Sequence, residues 1–107
     1  MPIEVDYSVK TEDIEQARAW IEEATGLPAE GRESTYWGGD YYAFYGNSGE
    51  QLKVFSNRDP CDGELIIGDS FDCVIGLIVD EADRDSPVLE ALRRAPDKFE
   101  KMKEDAY

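Results

Sequence analysis

The sequence contains no histidine. That absence excludes Ser-His-Asp hydrolysis, Cys-His nucleophiles, histidine acid/base chemistry and every zinc site built on imidazole. Positive charge is scarce: 11 Lys and Arg stand against 25 Asp and Glu, a formal net charge of −14. Phosphate backbones and anionic lipid repel a domain this negative, which argues against direct nucleic-acid binding and a membrane-surface role. The two cysteines, Cys61 and Cys73, have no CxxC neighbour, so metal or redox chemistry through them is not expected. Cys73 falls in phase with Phe71, Ile75, Leu77 and Val79 and reads as a buried core thiol rather than half of a disulfide. Long apolar runs are missing too. The stretch from Phe71 to Val79 is broken by Asp72 and Gly76 and falls far short of the roughly 20 residues that span a bilayer. No charged-then-apolar leader precedes the first strand, so a soluble, cytoplasmic protein is expected. Phosphate-loop glycines are absent, and Asp80, Asp83 and Asp85 lack the glycine and terminal glutamate of a calcium loop.

What remains is enough to fold. A chain of 107 residues is one domain, and 41% apolar with 11% aromatic residues distinguishes it from a disordered acidic tail. The negative charge has two addresses. Residues 1–35 carry nine acids against three bases and residues 57–85 nine against two, whereas residues 86–107 balance at five each. Crowded carboxylates repel one another, so such segments serve either solubility or a basic partner.

Ile3, Val5, Tyr7 and Val9 alternate with polar residues and predict a half-buried strand. Thr11 as N-cap, then Ile14, Ala17, Ile21 and Ala24 at helical spacing, predict a helix over 12–25 that stops at Gly26-Leu27-Pro28, with Glu15, Glu22 and Glu23 facing water. A polar connection from Glu30 to Ser34 leads to a hairpin, with strands Tyr36 to Tyr45 and Gln51 to Phe55 around Asn47-Ser48-Gly49. A second strand pair, Leu65 to Ile67 and Phe71 to Asp80, follows a loop over 57–63, the later strand being the most apolar and therefore central. Pro87 at a helix start with Leu89 and Leu92 inward predicts a second helix. Asp97 with Glu100 three residues on resembles a capping box and predicts a last short helix carrying Phe99 and Met102. The plan is α+β: a mainly antiparallel sheet of about five strands with helices on one face.

Carboxylate pairs are the only catalytic currency in supply, and turn aspartates are usually placed to accept backbone amides, so no catalytic residue, metal ligand or cofactor is expected. The aromatic strand is the stronger signal. Alternation puts Tyr41 and Tyr45 on one face and Tyr42 and Phe44 on the other, so some tyrosine must meet solvent, where it offers contact area at low entropic cost. The residues expected to bind a partner are Trp37, Asp40, Tyr41 and Tyr42 on this strand with Asp59, Asp62, Glu64, Asp69 and Asp72 of the acidic segment.

The strand Ile3 to Val9, the helix from Asp13 to Trp20 ending in Gly26-Leu27-Pro28, and the aromatic strand after it resemble the β-α-β-β-β module of the glyoxalase and bleomycin-resistance superfamily over about half of the chain. That family binds metal through histidine and glutamate, and with no histidine here its metal and activity do not carry over. Size, acidity, the lack of catalytic residues and the α+β plan also resemble the small immunity proteins of bacterial toxin systems, including contact-dependent inhibition. This resemblance implies a non-catalytic, monomeric or small homo-oligomeric inhibitor of a basic toxin domain, often a nuclease, using charge for fast encounter and aromatics for retention. The alternatives are an acidic DNA mimic that regulates a nucleic-acid-binding protein and a histidine-free glyoxalase-like domain.

Overall fold

Alternation decides the first element: Ile3, Val5, Tyr7 and Val9 are all buried along β1 (Ile3–Val9). A computed structural model describes residues 3–34, 39–47, 49–57, 74–83 and 85–106. The helix that follows, α1 (Ile14–Thr25), starts later than Thr11 implies. The Thr11 hydroxyl instead accepts the Asp13 N–H at 3.1 Å and donates to Gln16 at 2.8 Å, which leaves Asp13 to cap by accepting the Glu15 N–H at 2.9 Å. The helix ends as its glycine requires: Gly26 takes φ 71°, where a Cβ would be strained, and donates its N–H to the Glu22 carbonyl.

The segment expected to be a polar connection is a strand, β2 (Glu30–Ser34), paired antiparallel with β3 (Gly39–Tyr45). Residues 30–33 are exposed throughout, so no apolar alternation marks them, and pairing with β3 sets their conformation. The predicted hairpin joins β3 to β4 (Gln51–Ser56), with Gly49 at φ 95° in the turn. The apolar strand is β5 (Ile75–Ala82), flanked by β4 and β1 as its composition implied and running two residues beyond Asp80. The expected strand Leu65 to Ile67, residues Phe71 to Cys73, and Cys61 lie outside the described residues. Ser86 caps α2 (Pro87–Arg93), accepting the Val88 N–H at 3.2 Å.

The last expected helix is instead a strand, β6 (Phe99–Ala106), paired with β1. The Asp97 to Glu100 signature is local and weak, whereas β1 has a free edge whose N–H and C=O groups need partners. Strand alternation explains the misleading pattern: Phe99 enters the main core and Met102, three residues on, packs on the opposite face, giving the three-residue apolar spacing of a helix without being one. A register shift lies between the Lys101 and Lys103 pairings.

The sheet is antiparallel and runs β2-β3-β4-β5-β1-β6, six strands among the described residues. Both helices cover one face. Ala17 and Ile21 of α1 and Val88, Leu89 and Leu92 of α2 pack with Val5, Tyr7, Leu52, Val54, Leu77 and Val79, and each such burial contributes about 1.5–3 kcal/mol for a large aliphatic residue. On the other face Phe55 and Ile78 form a smaller cluster with Tyr41 and Met102. One buried polar contact ties the β3–β4 hairpin to α2: Ser86 donates its hydroxyl to the Glu50 carboxylate at 2.6 Å. Gly46 makes room for that carboxylate, since a Cβ there would lie 2.7 Å from Glu50 Oε1. No helix among the described residues is long and apolar enough to cross a membrane.

Candidate functional site

Where β2 and β3 approach the first turn of α1, they enclose a groove of about 400 Å³. Strand alternation aims Asp40 and Tyr42 of β3 toward the helix side, and register sets Glu33 opposite Asp40 and Gly31 opposite Tyr42. The Asp13 cap fixes where α1 begins, which brings Ile14 and Glu15 to the groove rim. Tyr42 packs its ring against the main core and donates its hydroxyl to Glu15. That bond to a carboxylate is the main reason the Tyr42 phenol is held above its ordinary pKa. Arg18 stands 5.6 Å from the centre of the Tyr42 ring and pairs with both Glu15, at 3.4 Å, and Glu22.

Two of the carboxylates in this groove, Glu33 and Asp40, have no opposite charge paired with them among the described residues. They are direct cross-strand neighbours of like charge, an arrangement that destabilises a sheet. Arg32, the cation on β2, is drawn to Glu30 at 3.2 Å. Three carboxylates, Glu15, Glu33 and Asp40, therefore line one cavity beside Tyr42, while the Tyr41 side chain turns to the other face of the sheet. Such a surface suits a cationic side chain, which would meet carboxylates and an aromatic face together.

Asp40, Tyr41 and Tyr42, three of the residues singled out in the sequence, meet here. Trp37, Asp59, Asp62, Glu64, Asp69 and Asp72 lie outside the described residues. The tyrosines divide between the faces as alternation requires, with Tyr45 49% exposed. Sequence reasoning missed Glu15, Gly31 and Glu33. Glu15 is one of several exposed acids on α1, and Glu33 becomes legible only once β2 is recognised as a strand in register with Asp40.

A second groove, of about 250 Å³, lies between the C-terminal halves of the helices and has the opposite character. Ala24, Ala91 and Ala95 leave the space, Arg94 and Lys98 line it with the single acid Glu23, and Lys98 Nζ sits 5.6 Å from the centre of the Trp20 ring. Asp83 and Asp85 border a third hollow with Glu50. Among the described residues no three potential ligands of His, Cys, Asp or Glu type are arranged to hold a metal ion. No protein-family model matches this chain, and no curated protein matches it.

Proposed function

We propose that the protein is a cytoplasmic immunity-type inhibitor that binds a basic bacterial toxin domain, such as a nuclease, through the acidic, tyrosine-lined groove at the α1–β2–β3 corner. The observation that carries this reading is the unrelieved like-charge pair Glu33 and Asp40, held beside Glu15 and Tyr42. Like charges opposite each other cost stability in the free protein, and a cationic partner converts that cost into attraction. The net charge of −14 steers a basic domain inward, while Tyr41 and Tyr42 slow its departure. Binding there inhibits by covering the toxin's cationic substrate-binding surface, and it requires no catalysis by this chain.

The experiment is to look for a small basic domain encoded by the adjacent upstream reading frame and to co-express it with this protein. The reading expects growth rescue by the intact protein and a stable complex on purification. Failure to rescue or bind, together with turnover of a small molecule by the protein alone, would contradict it. An acidic DNA mimic shares the charge and is distinguished by what it binds. It would bind a nucleic-acid-binding protein that is not toxic, whereas a toxin inhibitor would bind the toxin's catalytic domain and abolish its activity.

A further inference from the structure

Strand β2 ends the sheet, and among the described residues it pairs on one side, with β3. Residues 30–33 are exposed, and among the described residues no strand pairs with the outer edge of β2, where alternate N–H and C=O groups therefore lack a ladder partner. Gly31 sits in the middle of this strand, where glycine weakens pairing relative to a residue with a side chain. The fold does not require it. Its backbone is not in the left-handed region, and a Cβ would meet Tyr42 Cε1 at 3.7 Å, an ordinary contact. The missing side chain instead leaves the groove open along the edge, between Tyr42 and the carboxylates of Glu33 and Asp40.

We infer that β2 is a docking edge: an extended basic segment of the partner pairs with it as a further strand and places an arginine or lysine side chain past Gly31 into the groove. Charge complementarity selects this occupant, because the groove beside the edge holds Glu33 and Asp40 without an ion pair among the described residues, while Arg32 is paired with Glu30 and Arg18 with Glu15. Arg18, stacked over Tyr42 and bound to Glu15, already models within the chain how a guanidinium sits there. The opposite edge, β6, is less suited to a basic segment because its acids Glu100, Glu104 and Asp105 are already paired with Lys10, Lys101 and Lys103. This inference rests on the inhibitor reading of the groove and adds how the partner's chain lies in it.

The test uses a synthetic peptide of roughly eight residues, about a strand's length, alternating threonine with arginine, and a second of equal charge with proline replacing threonine. Amide exchange and chemical shifts of the full-length protein are followed during titration. The expected result is protection of residues 30–34 by the threonine peptide, about tenfold weaker binding of the proline peptide, and about tenfold weaker binding of the threonine peptide to Gly31→Val, with Gly31→Ala folding normally and binding at an intermediate level. Equal binding of both peptides, or protection confined to other strands, would overturn strand pairing. A basic toxin domain that binds with Gly31→Val unimpaired would also overturn it while leaving the inhibitor reading intact. Failure of every basic domain to bind, with residues 30–34 still protected by the peptide, would refute that reading and keep the edge.

Discussion

The two edges of the sheet are made of similar residues and reach opposite electrostatic outcomes. On β6 the acids have local cations: Glu100 pairs with Lys10, Glu104 with Lys101 at 2.8 Å, and Asp105 with Lys103 at 3.4 Å. At the β2 corner Glu33 faces Asp40 across the strands, and the nearby arginines Arg18 and Arg32 are engaged by Glu15, Glu22 and Glu30. Exposed ion pairs add little stability, so the β6 pattern is chiefly a means of keeping an edge soluble and neutral. The contrast shows that this protein can neutralise an exposed strand and does not do so where aromatic side chains line a groove.

The largest effect is expected where the two sides are joined. Glu50→Ala removes the buried acceptor of Ser86 and should lower unfolding stability by about 2–3 kcal/mol in a denaturant titration, while Glu50→Gln, which keeps an acceptor, should lose less than half of that. A loss shared equally by the two variants would show that the charge rather than the bond matters. Next, Tyr42→Ala should raise the dissociation rate of the toxin domain by about thirtyfold, or about 2 kcal/mol, whereas Trp20→Ala in the second groove should leave that rate unchanged. The reverse ranking would move the interface to the groove between the two helices. Glu33→Gln should act in two directions at once. It should stabilise the free protein by about 0.5 kcal/mol by removing the like-charge pair, and weaken the complex. Stabilisation without weaker binding would mean that the pair has no partner to serve.

The smallest effect concerns pH and the β1–β6 side. Burial raises the Asp6 carboxyl above its ordinary value, opposed by Lys103 and reinforced by Asp105. Burial likewise raises Glu4, with Asp6, Asp80 and Asp105 adding to it. A carboxyl whose pKa is higher folded than unfolded binds its proton more tightly in the folded state, so its penalty is fully present above the folded pKa. As pH falls through the folded values toward the ordinary 4.5 and 3.8, the penalty is relieved. Asp6→Asn should therefore be slightly more stable than the parent at neutral pH, with the gap closing as the solution is acidified. A gap that widens on acidification would mean that Lys103, not burial, governs Asp6.

Much of the fold is legible in the sequence where a residue's role is local. The Ile3 to Val9 alternation, the Gly26-Leu27-Pro28 stop, the turn at Gly49 and the Ser86-Pro87 start each act within a few residues of themselves, and each stands in the structure where the sequence places it. The two edge strands are not legible, for opposite reasons. β2 has no apolar residue to betray it, and the large apolar residues of β6, Phe99 and Met102, stand three apart on opposite faces, a spacing that also fits a helix. The candidate site divides in the same way. Asp40, Tyr41 and Tyr42 share one strand and are visible as a cluster, whereas Glu15, Gly31 and Glu33 come from separate elements and meet them only through the α1 cap and the β2 register.

The central claim is that the position of the negative charge, not its amount, makes the partner surface. It is tested most directly with two triple variants of identical net charge, Glu15→Gln/Glu33→Gln/Asp40→Asn and Glu100→Gln/Glu104→Gln/Asp105→Asn, whose association rates with the toxin domain are compared from low to physiological salt, where the Debye length is about 8 Å. The account predicts that the first variant associates about tenfold more slowly at low salt and loses most of its salt dependence, while the second stays within about twofold of the parent. Equal slowing by both variants, or greater slowing by the second, would contradict it.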